Sequence, residues 1–226
     1  MLQFTHQRQG TLTVLGLAAH PDDLEIGCAG TLQHLLADSR SRGVACSFHS
    51  VVMTGTDERV HEARAAGDAL LGASRAAELV PLGLADGYLP EHWAEAKRGL
   101  RETLAGVVPD LVLCPRLDDA HQDHRITAEL AWQLFRGATI WEYEITKWEG
   151  DLAQPNLYVP LSAEMMAAKV ELLHRHYVSQ RDRGWFEDEV FRGLGRLRGV
   201  ECGARYAEAF TARKTVVSWG QQAGSA

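Results

Sequence analysis

Leu12-Thr13-Val14-Leu15-Gly16-Leu17-Ala18-Ala19-His20-Pro21-Asp22-Asp23 is the stretch from which the fold and chemistry of this chain are read. Leu12 to Ala18 is an apolar run closed by a polar turn, the pattern of a buried strand. It delivers one imidazole and two adjacent carboxylates to the point where the strand ends. Neighbouring aspartates repel each other, and the repulsion is tolerable chiefly when a cation sits beside them. His and Asp suit Zn²⁺ or a similar divalent ion, and a second carboxylate is then free to act as base toward an activated water.

A second cluster lies further along. Pro115-Arg116-Leu117-Asp118-Asp119-Ala120-His121-Gln122-Asp123-His124 follows another apolar run, Leu111 to Cys114, and opens a predicted helix over 125–135. Two loops rich in His and Asp are thus expected at the carboxyl ends of two strands, the edge of an open parallel sheet where ligands bind. Three ligands split between two such loops, with one position left to water, describe a catalytic zinc site rather than a structural one.

On this reading His20, Asp23 and His124 are the metal ligands, and Asp22 is the general base. His121, three residues before His124 on the same side of a nascent helix turn, is expected as an imidazolium that stabilises the oxyanion. Asp123 is expected to orient His121 and raise its pKa. Asp118 and Asp119 are expected to brace the loop or cap the helix after it.

The rest of the chain supplies the frame. Strand-like runs recur at 12–18, 46–53, 77–82, 111–114 and 139–143, with helix-period segments at 31–38, 58–71, 93–107 and 126–135 between them. Alternation of this kind predicts an α/β, Rossmann-like fold, a mostly parallel sheet flanked by helices. Glu25 falls in the first turn of a helix expected over 24–36, and Gly27 and Gly30 read as close helix–strand packing. A loop at 154–156, a short strand at 157–159, a helix at 163–176 and a Gly- and Arg-rich stretch at 181–205 read as a C-terminal cap or lid over 151–212. The whole, 1–226, reads as one domain with a loose tail at 220–226.

Composition narrows the function. A chain of 226 residues with 46% apolar content fits one globular α/β domain. The net charge of −7, with no basic block, argues against nucleic acid as a partner. No apolar run approaches ~20 residues and the first residues lack a signal-peptide core, so no membrane insertion and a cytoplasmic location are expected. Cys28, Cys46, Cys114 and Cys202 are far apart and read as small hydrophobes in a reducing compartment.

Four pieces of sequence then carry a resemblance. They are Ala19-His20-Pro21-Asp22-Asp23 with its continuation to Leu32, the run Arg59, Glu62, Ala66, Leu71-Gly72, the segment Pro81 to Pro90, and the Asp118-to-His124 cluster. Tyr206 to Phe210 is a softer fifth. In this order the chain resembles the PIG-L / LmbE-like family of zinc-dependent N-acetylglucosaminyl deacetylases. The resemblance implies the same ligand set, His20, Asp23 and His124, holding Zn²⁺ or another divalent transition metal such as Fe²⁺. It implies that Arg59 and Asp86 hold sugar hydroxyls, that the substrate is a small-molecule amino sugar or its conjugate, and that the protein is a homo-oligomer. Two departures are visible. Only Thr54-Gly55-Thr56 remains of a Gly-rich segment before Arg59, and Asp119 stands where some members carry a tyrosine.

Each substrate residue has a plainer reading. Arg59 can pair with Glu62, and Asp86 can turn the chain before Gly87. Arg181, Arg183, Arg192, Arg196 and Arg198 suit a phosphate but are interleaved with acids, which favours internal ion pairs. Trp141, Tyr143 and Trp148 can line a pocket or pack, while His174 and His176 cannot share a helix face. Among rival functions, a nucleotide-binding Rossmann domain fails because carboxylates replace G-x-G-x-x-G. A metal- or carbohydrate-binding module would not need Asp22 beside Asp23, and an amidase of thiol–sugar conjugates would use the same machinery.

Overall fold

The computed structural model of the chain describes residues 10–72 and 79–217. Strands β1 (Thr11–Ala18), β2 (Ala45–Thr54), β3 (Val80–Leu84), β4 (Leu111–Cys114) and β5 (Thr139–Tyr143) alternate with helices α1 (Asp23–Ser41), α2 (Asp57–Leu71), α3 (Trp93–Thr103) and α4 (Gln122–Leu134). Then follow β6 (Leu157–Leu161), α5 (Ala163–His176), a 3₁₀ turn at Val178–Gln180, α6 (Asp188–Cys202) and β7 (Tyr206–Thr211). The seven strands form one sheet in the order β3-β2-β1-β4-β5-β7-β6. The first five are parallel, and β7 runs antiparallel to both β5 and β6. This is the expected mostly parallel α/β sheet.

The order places the site. The chain goes outward from β1 through β2 to β3, then returns to the other side of β1 as β4 and β5. β1 and β4 are therefore neighbours at the point where the strand order reverses, and the loops after them diverge to leave a crevice. Those are the two loops that contain His20 and His124. β1 is buried on both faces, as its unbroken apolar pattern requires. Leu12, Val14 and Ala18 join a core with residues of α1, α2, α5 and α6, while Leu15 and Leu17 join a second core under α3 and α4.

Helix α1 runs from Asp23 to Ser41, joining the helical segments expected over 24–36 and 31–38 into one. Gly27 and Gly30 would weaken an isolated helix, but here they let it lie flat on the sheet. A Cβ at Gly27 would sit 2.7 Å from the Tyr143 ring, and one at Gly30 would sit 2.5 Å from Leu161. α3 ends four residues earlier than its periodicity suggests, at Thr103. The first residues of the strand expected over 77–82 lie outside the described residues, as does the tail expected at 220–226. Residues 151–212, expected as a cap, supply β6 and β7 to the sheet itself. β7 is held there by Glu208, a buried carboxylate that accepts from Gly30 N, Thr31 N and Lys169 Nζ. No helix among the described residues is long and apolar enough to cross a membrane.

Candidate active site

The turn after β1 is built around Asp23. Its Oδ2 accepts from the backbone N–H groups of Ala19 and His20, at 2.9 and 2.8 Å. This fixes the carboxylate and leaves Oδ1, 3.4 Å from His124 Nε2. His20 Nδ1 lies 3.1 Å from the same His124 nitrogen and 3.7 Å from Asp23 Oδ2. All three residues are buried. Two ligand atoms bound at ~2.0–2.1 Å to one tetrahedral ion lie about 3.4 Å apart, and the His20–His124 and His124–Asp23 separations of 3.1 and 3.4 Å are close to that value. The charge balance agrees. Asp22, Asp23, Asp86, Asp119 and Asp123 surround the imidazoles, and a divalent cation would offset that excess.

The far side of each imidazole meets a carboxylate. His20 Nε2 lies 3.1 Å from Asp86 Oδ1, and His124 Nδ1 lies 3.0 Å from Asp119 Oδ2. Such partners fix the tautomer that turns the opposite nitrogen toward a metal. Burial opposes protonation of both rings, but the neighbouring Asp123 and Asp23 carboxylates hold the His20 pKa well above its usual value. Asp23 and Asp119 similarly raise His124 to about 9. Burial also works against Asp119, yet its contact with His124 brings it down to about 2.

Asp22 sits beside this face. Arg59 Nη2 donates to Asp22 Oδ1 at 2.7 Å, while Asp22 Oδ2 is buried without a hydrogen-bond partner. Burial raises the Asp22 pKa, Arg59 pulls it back and Asp23 pushes it further up. The Arg59–Glu62 pair that the plainer reading allows does not form. Glu62 accepts instead from Ser179 N and Oγ, at 2.8 and 2.6 Å. Gly55, just after β2, lets the chain pass closely by Pro21 on its way to α2. Its φ is +127°, and a Cβ there would lie 2.6 Å from Pro21.

His121 is the N-cap of α4, and its Nδ1 accepts from Asp123 N at 3.2 Å. Nδ1 is then the unprotonated nitrogen, and the proton resides on Nε2. Burial and the nearby His20 and His124 lower its pKa. With Nδ1 accepting from the backbone, the ring stands as a neutral imidazole in this geometry, where the sequence leads one to expect an imidazolium. Its centroid lies 4.8 Å from that of His20 and 5.1 Å from that of His124. The Asp123 carboxylate does not take the expected position on His121. It accepts from Gly87 N at 2.7 Å and Leu89 N at 3.1 Å, and lies 3.7 Å from His20 Nε2. Asp123 thus shapes the loop that presents Asp86.

Two groupings of three ligand atoms, each within 4.8 Å, occur among the described residues: His20 with His121 and His124, and His20 with Asp86 and Asp123. Asp86 is the exposed member, so it borders both the ring of His20 and the solvent.

Two supporting residues escaped the sequence reading. Lys147 Nζ contacts Asp119 Oδ2 at 3.0 Å and Asp151 Oδ1 at 2.8 Å. The Tyr177 hydroxyl can donate to either Glu25 Oε2, 2.6 Å away, or Pro21 O, 3.0 Å away. Burial raises the Glu25 pKa to about 8, against the Tyr177 hydrogen bond, which lowers it. No local pattern marks either residue, because both contacts are set by packing across the sheet edge.

Other expected candidates lie elsewhere. Tyr143 is fully buried with its hydroxyl on Leu17 O, Trp141 packs on Phe210, and Trp148 is 77% exposed. Arg198 pairs with Glu144 and Glu201, Arg192 with Asp188, and Arg181 and Arg196 bond backbone carbonyls. The arginine cluster is thus held largely by internal contacts.

Comparison with known proteins follows from this geometry. Residues 15–135, more than half of the chain, match the family model PIG-L, described as GlcNAc-PI de-N-acetylase. Among solved structures, the chain resembles an N,N'-diacetylchitobiose deacetylase from Pyrococcus horikoshii at 24% identity, with a TM-score of 0.66 over 88% of this chain and 82% of that one. The conserved protein TT1542 from Thermus thermophilus is 26% identical, with a TM-score of 0.62 over 93% of this chain and 100% of the other. GalB, the 4-carboxy-2-hydroxymuconate hydratase from Pseudomonas putida, shares 17% identity and a TM-score of 0.66 over 93% and 100% of the two chains. A hydratase among these likenesses shows that the fold alone does not set the reaction. The family match does not rest on fold alone: it spans β1 through α4 and includes both His/Asp loops, and the chain belongs to the PIG-L family.

Proposed function

We propose that this protein is a metal-dependent hydrolase that removes the N-acetyl group from an N-acetylglucosamine-type amino sugar or its conjugate. The observation behind this reading is Asp22, with one oxygen clamped by Arg59 and the other buried and unpartnered, beside His124, whose Nε2 lies 3.1 Å from His20 Nδ1 and 3.4 Å from Asp23 Oδ1. His20, Asp23 and His124 would hold the ion. Zn²⁺ suits a set of two imidazoles and one carboxylate, and Fe²⁺ is accommodated by the same donors. A divalent ion there supplies acidity to a water and polarisation to the amide carbonyl.

The chain's own groups do the rest. Asp22 Oδ2 receives the proton that the attacking water must lose. Its raised pKa suits it to keep that proton and return it to the departing amine. Arg59 holds Oδ1, so the free oxygen keeps a fixed direction. His121 presents Nε2–H, a neutral donor, to the oxygen on which negative charge develops. Asp86, exposed beside His20, and the remaining donors of Arg59 are placed to engage sugar hydroxyls. The products are acetate and a free amine.

The test is amine and acetate release by zinc-loaded protein from N-acetylglucosamine, its UDP conjugate, an inositol or malate glycoside, and an N-acetylated aminoglycoside fragment. Turnover of one of these, lost in Asp22→Asn while zinc stays bound, supports the reading. A zinc-holding protein inert toward every member would count against it.

A further inference from the structure

Both carboxylate oxygens of Asp119 are engaged. Its Oδ1 accepts from His121 N at 2.8 Å, and its Oδ2 is shared between His124 Nδ1 and Lys147 Nζ, each 3.0 Å away. The Lys147 side chain is only 10% exposed, and that of Asp119 is 1% exposed. A nearly buried ammonium is costly to desolvate and is retained where carboxylates meet it. Lys147 meets two, Asp119 and Asp151. Asp151 is itself tied to the second motif, accepting from Ala120 N at 2.7 Å and Arg116 Nη2 at 2.9 Å. Arg125 Nη1 bonds the carbonyls of Asp119 and Ala120 on the other side.

We propose that Lys147 is a positioning residue for the metal centre: it pins Asp119, and through Asp119 fixes the tautomer and ring plane of His124. The inference rests on the metal-site reading above. Its physical basis is that one carboxylate oxygen serves both the ammonium and the ligand imidazole. When His124 is neutral, as a metal ligand must be, Lys147 is the cation that balances the buried charge of Asp119. Without it the carboxylate is held only through Oδ1 by His121 N, Oδ2 loses the partner that keeps it in the plane of Nδ1, and the hydrogen bond that turns His124 Nε2 toward Asp23 and His20 is weakened. The turn after β5, distant in sequence from both motifs, would thereby act on the ligand set without touching substrate.

The experiment measures zinc affinity by chelator competition, the visible spectrum of the Co²⁺-substituted protein, and kcat and KM. Lys147→Met is expected to weaken zinc about tenfold or more, the usual cost of losing an outer partner of a ligand. It should also shift the Co²⁺ bands and lower kcat with KM nearly unchanged. Lys147→Arg should restore most of the affinity. Asp151→Asn keeps the ammonium on Asp119 and should leave affinity close to that of the unaltered protein. Unaltered zinc affinity and Co²⁺ bands in Lys147→Met would overturn the proposal, as would an equal loss in Asp151→Asn, which would assign the effect to loop folding. A rise in KM alone would make Lys147 a substrate contact instead. Failure of the unaltered protein to take up zinc or Co²⁺ would sink the metal reading and this inference together, an outcome distinct from failure of the variant alone.

Discussion

Arg59 and Asp22 are joined by a 2.7 Å ion pair that links the first turn of α2 to the turn after β1. The pair decides which oxygen of Asp22 can work as a base. Oδ1 is occupied, and the buried, unpartnered Oδ2 remains. Asp22→Asn keeps the shape and removes the basicity, so kcat should fall by about 10²–10⁴ with zinc content unchanged. Retained turnover in Asp22→Asn would remove Asp22 from the chemistry.

The same pair fixes the sign of a pH effect. Arg59 lowers the Asp22 pKa against burial, which raises it. Removing the guanidinium in Arg59→Met therefore raises the pKa of the base. A base acts only when deprotonated, so the acid limb of the kcat/KM profile should move to higher pH. An acid limb that stays in place, with KM increased, would make Arg59 a sugar contact with no hold on Asp22.

Metal removal should be reversible and visible in two ways. Dialysis against a chelator should abolish acetate release, and stoichiometric Zn²⁺ should restore it. Binding only to the folded chain should also raise the thermal midpoint, by the equivalent of about 3–4 kcal/mol at a few hundred to a thousand times Kd. Calorimetry with and without zinc checks this, and an unchanged midpoint would place the ion elsewhere or nowhere.

Much of this arrangement was readable because it is local. His20, Asp22 and Asp23 fall within four consecutive positions, and a strand buried on both faces announced itself as an unbroken apolar run. The partners across the crevice were not readable. Asp86 meets His20, and Lys147 meets Asp119, only after the sheet has fixed its strand order. Asp123 shows the limit well. Its nearness to His121 in sequence suggested a side-chain partner, but the helix N-terminus used the His121 ring as a cap and turned the carboxylate toward Gly87 and Leu89. β7 was hidden for another reason. Glu208 breaks its apolar pattern, and that glutamate is buried because Lys169 and two backbone N–H groups of α1 satisfy it.

Acid should expose the weight of Asp119. Its pKa is lowered from 3.8 to about 2, so its contribution to stability is complete above the unfolded value and is lost as the pH falls through the folded one. Asp119→Asn should destabilise the metal-free protein at pH 7 by on the order of 2 kcal/mol, the scale of a hydrogen bond to a charged group. The gap between variant and parent should narrow toward pH 2. Denaturant unfolding in chelator at several pH values measures this, and a gap independent of pH would mean the carboxylate's charge contributes nothing.

Gly27 offers a test of how the helix that presents Asp23 is seated. Alanine in place of glycine inside a helix ordinarily stabilises it, by roughly 1 kcal/mol. Here the added Cβ would lie 2.7 Å from the Tyr143 ring, and that ring is fully buried with its hydroxyl anchored on Leu17 O at 2.8 Å. The ring cannot retreat without breaking this bond or displacing β5. Gly27→Ala should therefore destabilise the fold by about 1–3 kcal/mol, against its helix propensity. It should also weaken zinc, because any lift of α1 from the sheet moves Asp23 away from His124. Gly67, where an added Cβ would meet nothing within 4 Å, is the control on α2. Gly67→Ala should hold or raise the unfolding midpoint and leave zinc affinity alone. If the two substitutions behaved alike, close packing of α1 on Tyr143 would not be what seats the metal ligand.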